Sequence, residues 1–93
     1  MAVQAYVFVE CAAGTPFQVA LALVKVSGVE MAHAVTGAYD VIAFVRAESV
    51  AALGDLLSRH IHRLPGVLKT TTNLVVQGTA APGSTESDRG RLA

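Results

Sequence analysis

Three histidines, one cysteine and a handful of carboxylates are the side chains from which this sequence could build reactive chemistry. His60 and His62 stand two apart in a segment of helical pattern. At about 100° per residue they point roughly 200° apart and cannot share a metal ion. His33 lies in a strand-like segment and is expected at a subunit contact. Cys11 has no partner for an internal disulfide and no base beside it in sequence. A reactive thiol needs an electropositive setting, so Cys11 reads as a buried or loop thiol. Gly14-Thr15-Pro16, at a helix start, could attract an anion, but no phosphate-loop pattern accompanies it and capping accounts for it. Catalytic residues, metal ligands and cofactors are therefore all expected to be none.

The composition narrows the partners. The 93 residues carry seven basic and seven acidic side chains, a net charge of zero, and no Lys/Arg stripe. Nucleic acid, whose binding draws on neutralised phosphates, is an unexpected direct partner. The apolar runs fall well short of the roughly 18 residues of a membrane span. No charged start and long apolar stretch marks a signal peptide, so a cytoplasmic, reducing location is expected. Residues 78–93 (GTAAPGSTESDRGRLA) have too little apolar surface to offset ordering, which predicts a flexible tail behind a domain over 1–77. The chain is 53% hydrophobic and 15% charged. A domain of this size buries only about 60% of its unfolded surface, and a chain this apolar points to a partner.

Val3–Val9 reads as a strand with Val3, Ala5, Val7 and Val9 on one face and Gln4, Tyr6 and Phe8 on the other. Thr15, Pro16 and Gln18 form the signature of a capping box opening a helix whose apolar face is Phe17, Ala20, Leu21 and Val24. Ser27-Gly28 stops it. Val29–Thr36 and Asp40–Arg46 form a hairpin around Gly37-Ala38-Tyr39. Ser49 caps a second helix that turns Val50, Leu53, Leu57, Ile61 and Leu64 inwards, with Gly54 weakening it by about 1 kcal/mol. Pro65-Gly66 ends that helix, and Val67–Val76 is the last strand.

At an offset of 38 residues the chain repeats itself. Val3, Ala5 and Val7 lie over Val41, Ala43 and Val45, Tyr6 over Phe44, and Val26-Ser27-Gly28-Val29 over Leu64-Pro65-Gly66-Val67. A duplicated split βαβ follows: an α+β, ferredoxin-like βαββαβ fold with a four-stranded antiparallel sheet and both helices on one face. The Val/Ala face suits the helices. The opposite face would present Tyr6, Phe8, Ile42 and Phe44, an apolar patch that predicts a homodimer through the open sheet unless loops or the tail cover it. At about 25 cal/mol per Å², burying these side chains contributes several kcal/mol.

Val35-Thr36-Gly37-Ala38-Tyr39-Asp40-Val41, Leu64-Pro65-Gly66-Val67 and Thr70-Thr71-Thr72 resemble the effector-binding half of the leucine-responsive regulator/AsnC family of transcription factors. The resemblance runs over about Val3 to Val76. That family places a helix-turn-helix domain ahead of this module, whereas here Met1 directly precedes the first strand, so a stand-alone effector-binding (RAM) domain is expected. The resemblance implies dimers paired through their sheets, often a ring of dimers, with an amino acid or related small molecule at the contact between dimers. By position it implies Gly37, Tyr39 and Asp40 in the hairpin and Thr70 and Thr72 in the last strand as ligand-binding residues. Backbone N–H groups near Gly37 and the threonine hydroxyls would hold a carboxylate, and Asp40 an ammonium. Turn chemistry alone also accounts for Gly37 and Asp40, and strand propensity for the threonines. Partnership with full-length family regulators would follow from mixed oligomers. Two other functions stay open: a small dimeric ferredoxin-like enzyme of monooxygenase or isomerase type, and a ligand-free assembly unit.

Overall fold

The structure, a computed structural model, describes residues 2–76. The expected tail over 78–93, and the domain's end at 77, lie outside the described residues. The elements run β1 (Val3–Cys11), α1 (Pro16–Val24), β2 (Val29–Ala34), β3 (Val41–Ala47), α2 (Val50–Asp55) continuing into a π-helical turn (Leu56–Ile61), and β4 (Val67–Leu74). All strand pairings are antiparallel, in the order β2-β3-β1-β4, which is the predicted split βαβ arrangement.

The register explains why the strands alternate as they do. Side chains directly opposite on paired strands share a face. One face carries the rows Ala34–Val41–Val9–Thr70 and Ala32–Ala43–Val7–Thr72. Ala5, Val7, Val9, Val41, Ala43 and Val45 on this face are fully buried under Val19 and Leu23 of α1 and Leu53, Leu56 and Ile61 of the second helix. The predicted small-residue layer is thus the floor of the core.

The helices differ from expectation in three ways. The α1 segment PFQVALALV is apolar nearly all round, so periodicity alone does not choose its inner face. The buried residues are Val19 and Leu23, with Ala20 partly so, while Phe17 and Leu21 are 78% and 64% exposed and Val24 is exposed too. The capping box does not form. Thr15 has a helical backbone, and its hydroxyl donates back to the Ala12 carbonyl at 2.7 Å instead of accepting from the helix. Ser49, by contrast, caps α2 as predicted, accepting from the Ala52 N–H at 3.0 Å. Third, the π turn inserts one residue into the second helix. The His62 N–H donates to the Leu57 carbonyl, five residues back, at 2.8 Å. This shift buries Leu56 and Ile61, leaves Leu57 and Leu64 half-buried, and does nothing for Val50, which stays exposed.

The matched glycines do the same work in both halves. Gly28 and Gly66 have φ of +98° and +92°. A Cβ on Gly28 would stand 2.9 Å from the Arg46 carbonyl oxygen, and one on Gly66 would stand 2.8 Å from Thr15 Oγ1. Only glycine accepts both the backbone angle and the close approach.

Candidate functional site

The hairpin and the start of β4 meet at one end of the sheet, on either side of the end of β1. Asp40, just ahead of β3, donates its N–H to the Val9 carbonyl at 2.9 Å, and Val9 pairs on its other side with Thr70. The Asp40 carboxylate accepts the Cys11 N–H at 2.8 Å through Oδ2. Asp40 therefore braces the hairpin against β1 while Oδ1 has no protein donor among the described residues. The loop itself is closed by the Val35 N–H to the Asp40 carbonyl at 2.9 Å. Gly37, at φ +115°, has open space where a Cβ would be, so the tip leaves room for an approaching ligand or chain.

The predicted residues do not surround one cavity within a protomer. Tyr39 leans onto the open sheet face, its ring 5.2 Å from that of Phe8. Thr70 and Thr72 pair with Val9 and Val7 and so face the helix side. The sequence reading also missed a partner. His62 Nε2 lies 2.6 Å from Thr70 Oγ1, where a cavity of about 330 Å³ is lined by His62, Val67, Leu68, Lys69 and Thr70. A signal existed in the sequence: His62 and Thr70 stand at equal separations on either side of the Gly66 turn, which folds one past the other. A larger cavity of about 460 Å³ lies at the opposite end of β3, beside Gly28 and Arg46, and none of the predicted residues lines it.

On the open face the rows read His33–Ile42–Phe8–Thr71 and Met31–Phe44–Tyr6–Asn73. The apolar residues occupy the two central strands, with polar groups along β4. Tyr6 and Phe44 pack with ring centroids 4.8 Å apart. Tyr39 shields part of Phe8, yet Tyr6 remains 42% exposed.

Cys11 is held as a thiol. Burial pushes its pKa up, and the Asp40 carboxylate pushes it further in the same direction. A raised folded-state pKa means that the thiol's contribution to stability is complete below the ordinary value of 9.0 and fades as pH rises through the folded value. Iodoacetamide at pH 8 is expected to alkylate Cys11 more slowly in the folded chain than in urea, because the thiolate is the nucleophile. Asp40→Asn should speed the folded reaction; equal rates in both variants would contradict the influence of Asp40.

Among the described residues no group of three or more His, Cys, Asp or Glu could hold a metal, and no helix is long and apolar enough to cross a membrane. Comparison with curated proteins yields no match. Solved structures do match. Protein TTHA0845 of Thermus thermophilus is 28% identical with a TM-score of 0.79, the match covering 85% of this chain and 99% of that one. The hypothetical protein PHS023 of Pyrococcus horikoshii is 26% identical with a TM-score of 0.76, over 82% and 92% of the two chains. The feast or famine regulatory protein Rv3291c of M. tuberculosis, solved in complex with L-methionine, is 25% identical with a TM-score of 0.72. That match takes in 85% of this chain but only 53% of Rv3291c. The sequence description of the Lrp/AsnC ligand binding domain matches residues 4–82, and with the split βαβ sheet in place, the chain belongs to the Lrp/AsnC ligand-binding domain family.

Proposed function

We propose that this chain is a cytoplasmic amino-acid sensor that binds its effector where two subunits meet and modulates regulators of its own family by assembling with them. The observation that carries the reading is family membership in a ligand-binding domain, joined to a relative that was solved in complex with L-methionine and of which the match covers 53%. The geometry adds support. Tyr39 turns to the open face and Thr70 and Thr72 to the helix side, so one ligand touching all of them must lie between protomers. Homodimers pairing through Tyr6, Phe8, Ile42 and Phe44, and rings built from such dimers, would bring hairpin and β4 edges of neighbouring subunits together. The effector carboxylate would take backbone donors near Gly37 and the threonine hydroxyls, and its ammonium would take the Oδ1 of Asp40. A core made of Val, Ala, Leu and Ile favours binding over catalysis, since the described interior buries no polar or charged side chain.

Thermal shift across the twenty amino acids tests the reading. A ligand that touches two chains stabilises and shifts assembly together, by about 2.7 kcal/mol at one hundred times its Kd. Asp40→Asn keeps an oxygen for the Cys11 N–H but removes the charge. It should weaken binding by about tenfold or more while leaving the unliganded Tm within a few degrees, because charge-assisted bonds contribute about 1.5–3 kcal/mol. Unchanged binding in Asp40→Asn would remove Asp40 from the site. If no amino acid binds, the ligand-free assembly unit becomes the better description.

A further inference from the structure

The π turn and the first half of β4 build a contact that packing does not require. Without the inserted residue, the helix would carry the 60–62 segment round by another fraction of a turn. With it, Ile61 is fully buried and His62 stands outside at the helix end. Such π insertions recur at functional sites. The chain then reverses at Gly66 and passes His62 again, bringing Thr70 Oγ1 to 2.6 Å from Nε2. Among the described residues this is the one hydrogen bond between two side chains. It closes one wall of the 330 Å³ cavity, which the Val67–Lys69 stretch of β4 also lines. β4 is an edge strand of the sheet, so among the described residues no strand pairs with its outer backbone edge.

A threonine hydroxyl has a single proton. When the imidazole accepts, that proton is consumed and Thr70 offers a ligand only lone pairs. When the imidazole donates, the proton is free to point into the cavity. Imidazolium and the Nε2–H tautomer both donate here; only the Nδ1–H tautomer accepts. A hydroxyl that accepts one bond is also a stronger donor in the next. A hydroxyl proton free to point into that cavity fits a carboxylate oxygen.

We propose that His62 is a positioning residue of the effector site: donating from Nε2 to Thr70 Oγ1, it leaves the Thr70 proton to bind the carboxylate of an amino acid seated in this cavity. The inference rests on the sensor reading above and adds a residue, a proton direction and a ligand group to it. Two measurements on the full chain test it. Long-range ¹H–¹⁵N spectra read the His62 ring directly; a proton on Nε2 is expected, and an Nδ1–H tautomer overturns the proposal whatever binds. Calorimetry then compares L-methionine, or the amino acid that the thermal screen selects, with its amide. His62→Leu should weaken the acid about tenfold, the worth of one lost hydrogen bond, and leave the amide's weaker binding unchanged. His62→Gln, which can still donate, should restore most of the loss. Thr70→Val should cost as much as His62→Leu, and the pair no more than either alone. If the wild-type chain binds the acid and His62→Leu binds it equally well, the role of His62 falls while the sensor stands. If the wild-type chain binds no amino acid, sensor and inference fall together.

Discussion

Gly28→Ala should lower Tm by about 10–20 °C, the response of a small domain to a loss of roughly 2–4 kcal/mol. Two costs add at this position. The backbone sits at φ +98°, where a side chain is disfavoured by about 1–3 kcal/mol. The new Cβ would also lie 2.9 Å from the Arg46 carbonyl oxygen and 3.3 Å from Leu56 Cδ2. The Arg46 N–H donates to the Gly28 carbonyl at 2.7 Å and holds the two backbones close, so relieving the contact requires the segments to part. Gly66→Ala should come close, since its neighbours Thr15 Oγ1 and Val19 Cγ2 are at 2.8 and 3.0 Å but belong to side chains that can shift slightly. Gly37→Ala supplies the control: φ is +115°, yet no atom lies within 4 Å of the added carbon. Thermal melts should rank Gly28 and Gly66 well below Gly37. Equal melts for Gly28→Ala and Gly37→Ala would show that the close approach carries no weight.

Phe44→Asp should break the assembly. Phe44 sits on a central strand of the open face, packed on Tyr6 and opposite Met31. In a face-to-face dimer the substitution buries a carboxylate twice, once per protomer, and removes two aromatic rings worth about 1.5–3 kcal/mol of burial each. Light scattering on the wild type should give a multiple of 9.6 kDa at micromolar concentration. For Phe44→Asp the expected result is a 9.6 kDa species with a depressed Tm, or loss of soluble protein. Thr71→Asp, on the polar margin of the same face, should be tolerated far better. A Phe44→Asp chain of wild-type mass and Tm would mean that the open face is not the interface.

The parts of the fold legible in the sequence are those that depend on alternation and on backbone angle. Val and Ala at every second position of β1 and β3 identified the covered face, and two glycines at the same offset marked both helix ends. What escaped depends on choices the pattern does not encode. In α1 nearly every position is apolar, so Phe17 and Leu21 looked as suitable for the core as Val19 and Leu23; only the depth of the strands beneath decides. In the second helix, one inserted residue replaced the expected Leu57 by Leu56 and carried His62 to the strand edge. Thr15 matched a capping motif in type and spacing, but its hydroxyl donates to the Ala12 carbonyl and accepts no helix N–H. At the site, residue types suggested polar contacts, whereas the pairing of Asp40 with Cys11 and of His62 with Thr70 depends on which strands lie side by side.

The first and last strands of the described body are themselves neighbours: Ala5 pairs with Leu74, and the Val75 N–H donates to the Gln4 carbonyl at 2.8 Å. Each half of the sequence is a βαβ unit; every strand pairing joins one half to the other, but the covalent link between them is only the loop around Gly37. The order in which the two are synthesised is therefore a free variable. A circularly permuted chain, opened at Gly37 and closed by a short linker between Val76 and Ala2, would retain every strand pairing and both helix-ending glycines. It would differ only at the hairpin tip, where the proposed ligand contacts lie, separating by covalent surgery what the sheet needs from what the proposed site needs.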